Sequence, residues 1–177
     1  MFTQIIRILK DGIMSLFYDI DGNKRPKTKI IIFFVIIPIA FSLISLKLNK
    51  AYEIIDTLLA CLSIFTALIF TALFIVPDKL SSRINMLKEK DDDATHGYLI
   101  RFYNFTKSFV QQMSFVIVQS LALIILLVTQ KLYPCNVLTF INSGLFIVLI
   151  LYILTILSNM YILLMDDIHR NEDEIKW

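Results

Sequence analysis

Four long apolar runs, at about 30–46, 54–76, 113–129 and 137–165, set the terms for anything this chain can fold into. Charge or proline bounds them: Lys29 and Lys47 bracket the first, and Pro77-Asp78 ends the second. A helix needs about 20 apolar residues to cross the ~30 Å of hydrocarbon in a bilayer. The first run is short by that measure and the fourth is longer than needed. Soluble domains hold ~45–50% apolar residues; here the share is 57%, concentrated in the four runs. That excludes an ordinary soluble domain with one core. Between runs the chain leaves the membrane, because lipid cannot satisfy loop backbone groups. The expected fold is therefore an all-α integral membrane protein. Its four transmembrane helices form two hairpins, with a cytoplasmic helical stalk and an N-terminal amphipathic helix.

Orientation follows from the cations. With the N-terminus inside, 14 of the 17 Lys and Arg residues face the cytoplasm, and only Lys47, Lys50 and Lys131 lie outside. The positive-inside rule selects this arrangement. It places a multi-pass protein in the inner (cytoplasmic) membrane with both termini in the cytoplasm. The expected layout is a cytoplasmic or interfacial amphipathic helix and basic linker over 1–28, a transmembrane hairpin over 29–77 and a helical connector over 78–112. A second hairpin covers 113–165 and a cytoplasmic tail 166–177. The N-terminus is not a secretory signal, since Arg7, Lys10 and Asp11 interrupt its apolar region. Phe2, Ile5, Ile6, Leu9, Ile13, Leu16, Phe17 and Ile20 fall on one helical face. Such a helix either lies in the inner interface or packs on the cytoplasmic ends of the others.

The segment "KEKDDDATHGYLIRFYNFTK", residues 88–107, is one that lipid cannot hold. Leu80, Ile84 and Leu87 continue a helical stripe past Pro77, which stops there. Asp91, Asp92, Asp93 and Thr95 suit a turn and a helix N-terminus. Tyr98, Phe102, Phe105 and Phe109 then recur on one helical face. The third helix is expected to begin near Ala94 and run to about Gln130, ~55 Å at 1.5 Å per residue. That is a stalk projecting beneath the membrane.

Catalytic chemistry is hard to find. Glu89, Asp91, Asp92, Asp93 and His96 do not fit a calcium loop, which alternates its acidic ligands and needs glycine sixth, where His96 stands. His169 among Asp166, Asp167, Glu172 and Asp173 fits no metal pattern either. Cys61 and Cys135 form no CxxC and read as unpaired thiols. Phosphate-binding loops, dinucleotide glycines, HExxH and GxSxG are all missing. The expectation is no enzyme, no cofactor and no metal.

Polar residues offer more. In the second run Asp56, Ala60, Ser63, Ala67 and Thr71 make a small, polar stripe down one helical face. Small residues let helices approach closely, and an ionisable residue within a span is a functional candidate by default. Gln119 in the third run and Asn142 in the fourth need partners or water. Asp56, Ser63, Thr71, Gln119 and Asn142 are thus the candidate lining of a polar path, with interhelical bonding as the plainer role. In the stalk, Arg101, Tyr103 and Lys107 offer charge and a stacking face to a nucleotide, an oligonucleotide or a partner protein.

Four spans joined to a small cytoplasmic sensor make a layout that resembles the membrane effectors of bacterial anti-phage defence. The four-span effectors of the Hailong and Kiwa types are similar to it in plan. The resemblance implies a homo-oligomeric channel or pore-forming effector, gated through its cytoplasmic helices by a nucleotide-type signal or a partner protein. Two other readings stay open: a non-conducting membrane anchor that recruits a cytoplasmic partner, and a small secondary transporter using Asp56.

Overall fold

The computed structural model describes residues 2–18, 24–48, 55–87 and 93–175, with side chains outside 2, 48, 75–99, 101, 163–164 and 166–175. The expected acidic turn at 88–92 and the Arg101 side chain fall outside what is described. Regular structure among the described residues is helical, apart from a single bridge between Tyr18 and Lys24. α1 is Phe2–Ser15, and a first apolar rod comprises α2 (Lys27–Ile31), a π-helical segment (Ile32–Ile36) and α3 (Ile37–Leu48). α4 is Ile55–Leu87, α5 is Asp93–Leu132 and α6 is Asn136–Ile175. α5 and α6 each have 40 residues, about 60 Å of helix, twice the hydrocarbon thickness.

Four stretches are long and apolar enough to cross a membrane: Lys27–Lys47, Ile55–Phe74, Phe102–Leu132 and Asn136–Ile162. The chain is built as a multi-pass membrane protein. The third stretch starts at Phe102, well before the expected boundary at 113, because Phe102, Phe105 and Phe109 keep its mean hydropathy high.

Pro38 explains the π segment. Proline has no N–H and its ring collides with the carbonyl four residues back. The turn ahead of it widens, so that the Ile37 N–H reaches back five residues to the Ile32 carbonyl. One extra residue in a turn rotates everything before it by about 100° relative to α3.

α5 is the hub. α1, α4 and α6 all pack on it, whereas α3 packs on α6. Its buried positions Phe102, Phe105, Phe109, Gln112, Val116, Gln119 and Leu123 alternate steps of three and four, the spacing of a helix–helix seam. α4 answers with Ile55, Leu62 and Ile69, each seven residues apart. The first hairpin needs correcting here: among the described residues α3 and α4 make no contact. Each flanks the second hairpin instead. The cause lies in where close approach is possible. Gly144 of α6 lets Ser42 come so near that a Cβ there would sit 2.9 Å from the Ser42 Oγ. One turn on, the Ser143 and Ser45 hydroxyls bond at 2.9 Å. Among the described residues no such contact forms between α3 and α4.

Polar groups tie the hub together. Gln119 donates to the Leu145 carbonyl at 2.9 Å. Near the far end of the hairpin, Asn142 Nδ2 donates to Gln130 Oε1, and Gln130 Nε2 donates to Thr139 Oγ1 at 2.9 Å. The Thr139 hydroxyl faces the Cys135 carbonyl at 3.3 Å. Each bond removes a polar group that lipid would leave unpaired. Gln130→Leu strands the buried Asn142 amide and leaves Thr139 only its Cys135 carbonyl, and should destabilise by about 1–3 kcal/mol. Thermal unfolding in a mild detergent checks this, with Thr129→Val at a neighbouring site as control; equal melting of both variants and the parent contradicts it.

Candidate functional site

Gly12 decides how α1 meets the hub. It is one of four glycines in the chain and sits inside a helix, where glycine costs up to ~1 kcal/mol against alanine. Its missing side chain leaves room for Phe115 of α5: an added Cβ would lie 2.5 Å from the Phe115 Cβ. The Phe115 ring stacks on Tyr152 of α6, centroids 4.3 Å apart, and Phe34 of the π segment meets Tyr152 edge-on at 5.2 Å. The Gly12 carbonyl receives the Ser15 hydroxyl at 2.6 Å, with the Tyr152 hydroxyl facing it at 3.5 Å. One junction therefore joins α1, α5, α6 and the first rod.

α1 runs antiparallel to α5. Gly12 lies against Phe115, while Met14, Ser15 and Tyr18 lie over Asn104, Lys107, Ser108 and Gln111 further toward the α5 N-terminus. Phe115 is 17 residues, about 25 Å, from Leu132. The contact thus falls within the third apolar stretch, Phe102–Leu132. The buried face of α1 also differs from the expected one. Gly12, Ser15 and Leu16 are buried, whereas Ile6 and Ile13 are exposed. Leu9 and Leu16 of the expected face do pack on the core, and the face is turned from the expected one because Gly12 and Ser15 make the close approach beside them.

Between α1 and α5 lies a cavity of about 300 Å³ walled by the six polar side chains of Ser15, Tyr18, Asn104, Lys107, Ser108 and Gln111, together with Met14. Such a volume is at the lower end for small-ligand sites. Lys107 is its cation. Next to it, Gln112 is 1% exposed, donates to the Ser108 hydroxyl at 3.3 Å and has an Oε1 without a partner. The cavity can take a small anion or a planar polar group, with Lys107 for charge and the amides for hydrogen bonds.

The sequence candidates separate into three places. Asp56, Ser63 and Thr71 lie on the outward face of α4 together with Ala60 and Ala67. The Ser63 and Thr71 hydroxyls turn back to the Leu59 and Ala67 carbonyls, so neither is used to bind another helix. Asp56 accepts from Lys131 at 2.6 Å, an exposed pair at the ends of α4 and α5. Gln119 and Asn142 instead face into the subunit, bonded as described above. Each retains one unpartnered carbonyl oxygen, Gln119 Oε1 and Asn142 Oδ1. Lys107 lines the cavity, while Tyr103 is 61% exposed and off its wall. The two thiols, Cys61 and Cys135, are free and exposed.

Gly12, Phe115, Tyr152 and Gln130 escaped the sequence reading. A lone glycine within an amphipathic helix was the available signal for the first; nothing in a single sequence pairs it with Phe115. No protein-family model matches this chain, and no curated protein or solved structure shows significant similarity to it.

Proposed function

We propose that the chain is the subunit of a homo-oligomeric membrane channel or pore-forming effector, set by a nucleotide, an oligonucleotide or a partner protein acting on its cytoplasmic helices. The observation that carries this reading is the outward stripe of α4. Asp56, Ala60, Ser63, Ala67 and Thr71 all face away from the subunit, on a helix that among the described residues packs on α5 alone. A small, polar face has no reason to meet lipid, but it suits a second subunit or a water-filled path. The cavity beside Lys107 supplies the regulated end. A ligand there touches α1 and α5 together, and α5 continues unbroken to Lys131 beside Asp56. Such a ligand biases a gate only through different affinities for its states.

A role like that of the four-span anti-phage effectors fits: a subunit held shut until a signal arrives, then leak across the inner membrane. With both termini cytoplasmic, the cavity faces the compartment where such a signal forms. The transporter reading finds less support, because Asp56 is exposed and already paired with Lys131.

The test is ion flux from liposomes. Reconstituted protein should release a trapped potassium-sensitive dye, and Lys107→Gln with Arg101→Gln should change basal flux or its response to added oligonucleotide while assembly stays intact. An oligomer that passes no ions under any condition supports the anchor reading instead.

A further inference from the structure

A second recess lies between the start of the first rod and α6, with a volume of about 420 Å³. The rod and α6 run antiparallel: Ser45 faces Ser143, Phe34 meets Tyr152, and Arg25 donates to Asn159 Oδ1 at 3.1 Å. They come close together at Ser42 and Gly144. α3 and the π segment touch α6 and α2 does not, so the space is a wedge that widens toward the rod's N-terminus. At its narrow end the walls are apolar, with Phe33 and Leu154 both about half exposed to the surroundings. At its wide end the lining changes to Arg25, Lys29, Ser158 and Asn159.

The π segment helps set this arrangement. The register shift it introduces turns α2, and with it Lys29, relative to α3. Arg25 is fixed separately, since its N–H donates to the Phe17 carbonyl at 2.8 Å beside the Tyr18–Lys24 bridge. Its side chain reaches across the mouth to α6.

We infer that this wedge binds an anionic phospholipid, its phosphate at Lys29 and Arg25 and one acyl chain between Phe33 and Leu154. Three observations converge. The polar end coincides with the ends of two apolar stretches, Lys27–Lys47 and Asn136–Ile162, where headgroups lie. The apolar end is open to lipid. Among the described residues neither wall carries a carboxylate, and Lys24 and Lys27 add exposed cations beside it. A cluster of four basic residues next to a span attracts anionic headgroups. A choline or ethanolamine headgroup would bring its own cation against them.

Native mass spectrometry of the whole chain tests the site. Protein stripped of lipid in a non-ionic detergent is offered phosphatidylglycerol, phosphatidylcholine or inorganic phosphate. The expected result is retained phosphatidylglycerol, with phosphatidylcholine held at least about fivefold less. Lys29→Gln should lower phosphatidylglycerol retention about fivefold. Leu154→Trp keeps every charge and fills the chain slot at an exposed position, so it should abolish retention without changing melting. Equal retention of both lipids overturns the proposal, as does parental retention by both variants. Inorganic phosphate that competes fully with the lipid identifies a phosphate site and equally overturns it.

Discussion

Gly12→Ala will loosen α1 from the hub and lower the melting temperature by several degrees. On helix propensity alone the change should help, by up to ~1 kcal/mol. Packing opposes it. The new methyl would lie 2.5 Å from Phe115 Cβ and 2.7 Å from its Cγ, and no rotamer moves a Cβ out of the way. Nor can the ring swing aside easily, since Tyr152 covers one face of it and Phe34 in turn backs Tyr152. The helices must separate, and overpacking of this kind costs about 1–3 kcal/mol. α1 also loses the contact between its Gly12 carbonyl and the Tyr152 hydroxyl. Unfolding followed by intrinsic fluorescence in detergent measures the effect. Ile13→Ala, at a half-exposed neighbour, is the control and should melt near the parent. A Gly12→Ala protein as stable as the parent shows that α1 does not dock at Phe115.

If the proposed homo-oligomer forms through α4, the double change Ser63→Leu with Ala67→Leu should break it while sparing the subunit. Both positions face outward from α4, and the Ser63 hydroxyl bonds only to its own helix at Leu59. In a lone subunit the two leucines meet lipid, which suits them. Between subunits they prevent the close approach that small residues permit. Expected outcomes are a fall in mass to the single chain, by light scattering in detergent, and at least ~10-fold less dye release from liposomes. That flux ratio corresponds to about 1.4 kcal/mol or more. Unchanged mass and flux together remove α4 as either interface or path.

The apolar runs made the membrane class legible, because length and hydropathy are summed over many residues and tolerate local errors. Boundaries were less legible. Phe102 and Phe105 were expected in a stalk, yet they extend the third apolar stretch, since a buried aromatic seam and a lipid-facing one look alike in sequence. Hairpin pairing failed for a different reason. Adjacent spans joined by a short loop were expected to pack, but Ser42, Ser45 and Gly144 carry the close contact to a helix about 100 residues away. The outward face of α4 was legible as a small, polar stripe. Interhelical bonding of Gln119 and Asn142 was legible as their plainer role, but their partners Leu145 and Gln130 were not, because helical spacing ranks faces without saying which helix each one meets.

The arrangement around α5 has a consequence for biosynthesis. A ribosome delivers α1, the first rod and α4 before α5 exists, yet each of them packs only on α5 or α6. About half the chain therefore waits in or on the bilayer with its contact surfaces unmet, and insertion precedes packing. During that interval the first two spans are held by hydropathy alone, with no tertiary contact between them. A nascent chain stopped after Leu87 should be inserted and then removed by membrane proteases, whereas one carried through α6 should persist. Quality control of this protein is thus postponed until its last helix emerges.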